Sequence, residues 1–325
     1  MRFFLPFFIL TIFLNHSNAS TPAFETGSYR GIYGTRNYKV YVPMSRKKRE
    51  LLPVVVMLHG CQQNAEEFAS GSRITKWAEK EKFIVLLPEQ NIAYNPFKCW
   101  NWIIPGNNSR YGESEVIMTM LDEVLKKYNG DKDKVFAAGM SAGASMVNIL
   151  GNCYPERFKG LGSHDGSQFY SSYLGLDFAE VVLNGASVPA SVSGRIGYAC
   201  SNGIKNRPTK MPIIIFHGMK SPLMSPMHAF QIESEFKVLN DFLDNGLRDN
   251  SYFLDKNVEN FPETDKYGYN KYSIIDQDHE VLIERYMIND LAHGWSGGAP
   301  NLPYNDPKGP DATGLIIKFF KDHGL

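Results

Sequence analysis

Ser141 stands between two glycines in Gly139-Met140-Ser141-Ala142-Gly143. The run before it, residues 134–138, is an apolar strand pattern, and residues 142–150 read as a helix. A G-x-S-x-G between strand and helix is a nucleophile elbow: the turn is too tight for side chains beside the serine, which projects from its tip. The N–H groups of the following helix favour negative charge at that point. The chemistry open to such a serine is attack on an acyl carbonyl.

That attack needs two further parts. Leu58-His59-Gly60-Cys61-Gln62 ends another buried strand pattern. A His-Gly turn there shapes a loop that can stabilise an oxyanion, with one N–H donor from Cys61 and a second from Ala142 after the nucleophile. His59 itself reads as structural. Ala292-His293-Gly294-Trp295-Ser296-Gly297-Gly298 follows the last strand pattern. A base in this arrangement comes late in the chain on a Gly-rich loop, which singles out His293 to take the Ser141 proton and return it to the leaving group. His164 is its rival, with His217 and His323 behind.

The elements that must hold these residues alternate. Strand patterns run over residues 38–42, 53–58, 83–87, 134–138, 158–162, 211–216 and Val281–Ile288. Helical periodicity covers residues 66–80, Glu113–Lys127, 142–150, 227–243 and 312–321. Such alternation predicts an α/β fold with a mainly parallel central sheet and helices on both faces. Residues 163–210, rich in Gly, Ser and Ala, and the polar, Tyr-rich residues 246–273 read as excursions over the carboxyl edge of the sheet, where open α/β sheets bind ligands.

The chain has 325 residues, 43% of them hydrophobic, enough for a large core. Residues 1–19 carry one Arg, an apolar run and then small residues, the layout of a secretory signal peptide. The run is shorter than the roughly 20 residues that span a bilayer. Residues 20–325 then form a single catalytic domain, without repeat or linker. Lys and Arg total 34, as do Asp and Glu, so no basic field favours nucleic acid or anionic lipid. No metal or cofactor motif is present. The four cysteines, Cys61, Cys99, Cys153 and Cys200, allow up to two disulfides in three connectivities, or free thiols. Asn107-Asn108-Ser109 is a glycosylation sequon.

Several of these motifs occur together and in order. They are His59-Gly60-Cys61, Asn95-Pro96-Phe97-Lys98-Cys99-Trp100-Asn101-Trp102, the serine elbow, His293-Gly294-Trp295-Ser296-Gly297-Gly298 and Asp306-Pro307-Lys308-Gly309-Pro310-Asp311-Ala312. In this the chain resembles the poly(3-hydroxybutyrate) depolymerase family of esterases, whose relatives include feruloyl and acetyl-xylan esterases. The resemblance runs from about residue 27 to residue 320. It implies an α/β-hydrolase fold and ester hydrolysis through an acyl-serine. It also implies a Cys61–Cys99 disulfide, which leaves Cys153–Cys200 as the second pair.

One position departs from the family pattern. Family members carry the triad aspartate in a His-Gly-x-x-Asp sequence, but here His217-Gly218-Met219-Lys220-Ser221 puts a serine there. Asp165, at the end of the preceding strand pattern, is the first candidate to replace it, ahead of Asp276, Asp278 and Asp290. A turn residue before Gly166 is the alternative role for Asp165. Trp100, Trp102 and Trp295 offer aromatic faces for an apolar polyester or a phenolic ring, with one of the first two expected in the core.

The expectation is a monomeric, secreted or periplasmic hydrolase without metal or cofactor. It would contact neither nucleic acid nor, after signal cleavage, a membrane. Its substrate would be 3-hydroxyalkanoate polyester or its oligomers, with feruloyl or acetyl-xylan esters as the alternative. A hydrolase-fold binding protein with impaired catalysis is the reading that a missing acid would favour.

Overall fold

The computed structural model describes residues 23–205 and 207–325, so the signal-peptide reading of residues 1–19 lies outside the described residues. Ten strands form one sheet: β1 (Glu25–Gly31), β2 (Gly34–Tyr41), β3 (Leu52–Leu58), β4 (Ile84–Pro88), β5 (Gly130–Met140), β6 (Gly160–His164), β7 (Ile213–Gly218), β8 (Phe253–Phe261), β9 (Tyr269–Asp276) and β10 (Val281–Ile288). Their spatial order is β1-β2-β4-β3-β5-β6-β7-β10-β9-β8. The run from β4 to β10 is parallel throughout. The outer pairs on each side are antiparallel.

The continuous apolar strands are buried on both faces, as parallel strands covered by crossover helices must be. In β3, Val54, Val56 and Leu58 face one core and Val55 and Met57 the other. The first core is covered by helices Glu113–Lys127, Ala142–Cys153 and Met227–Asn245. The second is covered by Ala65–Ser72, Ile74–Glu81 and Ala312–Asp322.

Two expectations change. The single helix over residues 66–80 is two helices, broken at Arg73, whose φ of 57° is left-handed and cannot continue a helix. Residues 246–273 are not an excursion over the carboxyl edge. Most of them build the β8–β9 hairpin, which extends the sheet sideways beyond β10. An edge hairpin leaves much of its surface to water, so its sequence lacks the apolar density of the central strands. By contrast, residues 163–210 do leave the sheet, and they carry helices Phe178–Asn184 and Ala190–Cys200. Among the described residues, no helix is long and apolar enough to cross a membrane. The sequon is committed internally: the Asn107 amide donates to the Asn101 carbonyl (3.0 Å), and its oxygen accepts the Glu113 N–H (3.2 Å).

Candidate active site

The β5-to-helix turn explains the two glycines around Ser141. A Cβ on Gly139 would lie 2.6 Å from the Gly143 carbonyl carbon, and one on Gly143 would lie 2.1 Å from the Leu58 carbonyl oxygen. The first atom belongs to the helix Ala142–Cys153 and the second to β3, so neither can move aside without distorting its element. Ser141 adopts φ 55° and ψ −122°, a conformation that costs a non-glycine residue about 1–3 kcal/mol and is held by its surroundings. Its N–H donates to the His164 carbonyl (2.8 Å), and its carbonyl accepts the Ser145 N–H (3.0 Å). Ser141 therefore stands at the N-terminus of a buried twelve-residue helix.

Above it lies a largely apolar cavity of about 170 Å³. Ser141 and His293 both line it, as do Cys61, Ala142 and Trp102. Among the described residues, the N–H groups of Cys61 and Ala142 have no hydrogen-bond partner. The Cys61 loop is fixed from three sides. A disulfide joins Cys61 to Cys99, Gln62 N–H donates to the Phe97 carbonyl (2.7 Å), and Gly60 N–H donates to Oε1 of Gln63 (2.9 Å). His59 lies below this loop, fully buried, with Nδ1 at 2.7 Å from the Gly60 carbonyl and Nε2 accepting the Gln90 N–H (3.1 Å). Burial pushes its pKa down to about 4, with Lys98 lowering it further and the Gly60 contact opposing both. It is a structural imidazole.

The side chain of His293 is 7% exposed, and its Nδ1 lies 3.6 Å from Oδ2 of Asp165. Asp165 follows β6 directly, with a left-handed φ of 50°. It is completely buried. Oδ1 accepts the Gly218 N–H at 3.0 Å, which docks the carboxylate on the end of β7. Two further imidazoles face it: Nδ1 of His164 at 3.5 Å from Oδ2 and Nδ1 of His217 at 3.4 Å from Oδ1. His164 accepts the Ser296 N–H on Nε2 (3.0 Å), so the neutral ring carries its proton on Nδ1, toward the carboxylate. Burial is the largest influence on Asp165 and pushes its pKa up. His217, His164 and His293 together outweigh it and hold the carboxyl well below its ordinary range. The cluster therefore contains a carboxylate. Burial lowers the pKa of His293, an effect that Asp165 opposes and His217 and His164 reinforce. His293 is thus a neutral imidazole at pH 7, with a nitrogen free to accept a proton.

The other candidates are elsewhere. His164 is enclosed between the rings of Trp295 (5.0 Å) and Phe216 (5.7 Å) and does not line the cavity. His217 is buried, with Nε2 at 3.0 Å from the Met224 carbonyl. His323 packs on Phe319 at the end of the last helix. Asp276 and Asp278 bind Lys210 before the start of β10. Asp290 is exposed.

Two tryptophans expected to bind substrate do not reach the cavity. Trp100 is 1% exposed and packs beside His59. Trp295 is also 1% exposed; it packs edge-on against Phe68, and its Nε1 donates to Thr313 Oγ1 (2.9 Å). Both indoles are core, Trp100 in the first of the two cores and Trp295 in the second. Trp102 does line the cavity.

Sequence reasoning missed much of the cavity wall. Phe178 and Val182 come from the short helix in residues 163–210, and Leu223 and Met224 from the turn after β7. Their only sequence signal was an apolar residue in a weakly patterned segment. Tyr304 closes another side, its hydroxyl donating to Gln62 Oε1 (2.8 Å). Ser221, noted only for standing where the family carries its acid, has its Oγ 3.2 Å from Nδ1 of His293. Cys153 and Cys200 also form a disulfide, joining the C-terminal ends of helices Ala142–Cys153 and Ala190–Cys200. No group of side chains that could hold a metal occurs among the described residues.

With this geometry in place, likeness to known proteins can be read. The family model described as Esterase PHB depolymerase matches residues 36–251. Poly(3-hydroxyalkanoate) depolymerase C of Paucimonas lemoignei is 26% identical, over 74% of this chain and 55% of that protein. Feruloyl esterase B of Thermothelomyces thermophilus is 27% identical, over 59% of this chain and 67% of its own length. A probable acetylxylan esterase A of Neosartorya fischeri is 28% identical, over 71% and 66%. The chain thus spans between about half and two thirds of these relatives. The solved acetyl xylan esterase from Aspergillus awamori superposes with a TM-score of 0.66 over 92% of this chain and 99% of that one, at 18% identity. That likeness identifies the fold as an α/β-hydrolase.

Proposed function

The chain belongs to the Esterase PHB depolymerase family, and from that membership we propose that it is a serine carboxylic ester hydrolase. One observation carries this reading: Ser141 and His293 line one cavity, and the far nitrogen of His293 faces the buried carboxylate of Asp165. Ser141 Oγ attacks the ester carbonyl while His293 Nε2 takes its proton. Asp165 stabilises the imidazolium that forms, and the Cys61 and Ala142 N–H groups receive the developing oxyanion. Collapse expels the alcohol with the proton from His293. A water, activated by the same base, then releases the acid from Ser141.

The substrate we favour is 3-hydroxyalkanoate polyester or its oligomers. The cavity wall is apolar and continues outward. Phe178 and Leu223 at its edge are each 51% exposed, and Leu174 and Leu176, on the segment leading to Phe178, are 74% and 87% exposed. Such a border suits an aliphatic chain too long for the cavity itself. Feruloyl or acetyl-xylan ester hydrolysis is the second reading, supported by the relatives above and by the Trp102 ring on the cavity wall. We further propose that residues 20–325 are one catalytic domain, that it works as a monomer, and that it is exported to the periplasm or medium. The leader pattern in residues 1–19 and two disulfides, which persist in oxidising compartments, support export.

A short-chain nitrophenyl ester tests the activity, with Ser141→Ala as control. Equal, slow hydrolysis by both proteins leaves the catalytically silent binding protein as the better account. Clearing of a polyester suspension, against release of ferulate from arabinoxylan or acetate from xylan, decides the substrate.

A further inference from the structure

Two side chains approach the same nitrogen of His293. Ser221 Oγ lies 3.2 Å from Nδ1, within hydrogen-bonding distance, whereas Asp165 Oδ2 lies 3.6 Å away. Oδ2 is buried, and His164 Nδ1 faces it at 3.5 Å as well. The Ser221 oxygen is itself anchored, because it accepts the Met224 N–H at 3.2 Å. These residues come from different strand ends: Asp165 follows β6, and Ser221 lies in the turn after β7.

We propose that the orienting of His293 is divided, with Ser221 as the positioning residue that accepts the Nδ1–H hydrogen bond and Asp165 as the source of the negative charge. The inference rests on the reading of Ser141 and His293 as nucleophile and base. A Nδ1–H held by Ser221 leaves Nε2 with its lone pair directed away from Asp165, the tautomer a base needs. A hydroxyl can hold that tautomer but cannot neutralise an imidazolium. A buried carboxylate just beyond hydrogen-bonding distance can do so, since charge acts over a longer range than hydrogen-bond geometry. The two roles fall to one aspartate in the His-Gly-x-x-Asp pattern. Here a serine keeps the position after β7, and the charge comes from the neighbouring strand.

The ionisable groups facing His293 are Asp165, His164 and His217. Of the possible acceptors, Asp165 Oδ2 lies at 3.6 Å from Nδ1, beyond hydrogen-bonding distance, and the Ser221 hydroxyl lies within it. A hydrogen bond from Nδ1 strengthens when the ring becomes cationic, so the Ser221 contact favours the imidazolium. Its loss shifts the acid limb of the pH profile toward lower pH.

The full chain is compared as wild type, Ser221→Ala and Ser221→Thr on a soluble nitrophenyl ester. Ser221→Ala is expected to lose about 10- to 100-fold in kcat, the scale of one hydrogen bond to a charged group, with KM within about twofold. Its acid limb moves to lower pH, and Ser221→Thr, which keeps the hydroxyl, restores most of the rate. Proton NMR of the imidazole N–H region gives a readout independent of turnover. The His293 Nδ1–H resonance is expected in wild type and in Ser221→Thr, and is lost or moved upfield in Ser221→Ala. A wild-type rate, profile and resonance in Ser221→Ala overturn the proposal. Equal losses in the Ala and Thr variants, with the resonance unchanged in both, overturn it as well. If wild type and Ser141→Ala are equally inactive, the ester hydrolase reading fails, and the resonance alone then decides whether Ser221 holds the ring.

Discussion

The carboxylate of Asp165 and the imidazole of His293 face each other at 3.6 Å across the end of β7, which contributes neither residue. Asp165 leaves the sheet from β6, and His293 follows β10. β7 lies between these two strands, and its Gly218 N–H holds the carboxylate in place. Asp165 thus reaches His293 from one strand further away than a residue after β7 would, with the Gly218 N–H on Oδ1 and the His164 imidazole facing Oδ2.

Asp165→Asn removes the charge and keeps the shape. With Ser141 and His293 as the reacting pair, kcat on a soluble ester should fall by up to roughly 10⁴, the loss seen when a triad acid is neutralised. KM should change little, since Asp165 is buried away from the cavity. Steady-state kinetics on the purified variant check this. A variant that folds and keeps wild-type kcat removes Asp165 from the mechanism.

The acid limb of activity should lie below the ordinary imidazole range. Burial lowers the His293 pKa, and the opposing pull of Asp165 does not cancel it. As the proposed base, His293 therefore stays neutral as pH falls through 6.5 and is protonated only below that. In Asp165→Asn the upward pull is gone, so the limb moves further toward acid while the plateau drops. kcat/KM measured from pH 4 to 9 reads both effects. A limb above 6.5 in wild type would mean that the pull of Asp165 outweighs burial at His293.

Much of this arrangement is legible in the sequence, and what is not has physical causes. The elbow is legible because two glycines are forced by contacts with backbone, which no side-chain repacking can relieve. Central strands such as β3 are legible because burial on both faces demands uninterrupted apolar residues. The β8–β9 hairpin is not, because an edge hairpin tolerates polar residues on its open face. Trp295 misleads for a related reason. It neighbours His293 in sequence, but successive residues on a loop can point opposite ways, and its indole goes into the core. The link between Ser221 and His293 depends on where two turns meet in space, and no local pattern encodes it.

Glu235 should make stability fall as pH rises. It is completely buried, and burial raises its pKa to about 8, against the pull of the Asn152 amide (2.6 Å) and the Phe169 N–H (3.1 Å). The unfolded chain loses this proton near 4.5. Between those values the folded state binds more protons than the unfolded state, so each rise in pH favours unfolding. The effect is on the order of a few kcal/mol across the window. Urea unfolding at pH 5 and pH 8.5 should show the decline in wild type and a flatter dependence in Glu235→Gln, whatever the offset in overall stability. An equally steep decline in the variant assigns it to other groups.

The two disulfides should separate stability from catalysis. Cys153–Cys200 joins the far end of the elbow helix to the end of helix Ala190–Cys200, closing a loop of sequence separation 47. Chain-entropy arguments give such a crosslink about 4 kcal/mol. Replacing both cysteines by Ala should lower the melting temperature and leave kcat near wild type. Cys61–Cys99, with a separation of 38, should confer similar stability but also hold the loop that bears the Cys61 N–H. Its removal should lower kcat as well, by about tenfold or more if one oxyanion donor becomes mobile. Thermal melts and soluble-ester kinetics on both double variants test the distinction. An equal effect on kcat in the two would mean that the Cys61 loop does not depend on its bridge.

The apolar border of the cavity should matter for a polymer and not for a small ester. Leu174 and Leu176 are among the most exposed apolar residues described, and they lead into Phe178 on the cavity wall. Neither belongs to the core, so Leu174→Ser with Leu176→Ser should change stability by less than about 1 kcal/mol. A nitrophenyl ester, small enough for the cavity, should be hydrolysed at the wild-type rate. Clearing of a polyester suspension should slow several-fold, because adsorption of an insoluble chain depends on apolar area outside the cavity. The ratio of the two rates is the quantity to measure, since it cancels differences in active protein. A ratio equal to that of wild type would show that these leucines do not grip polymer, and would favour soluble oligomers or small esters as the substrate.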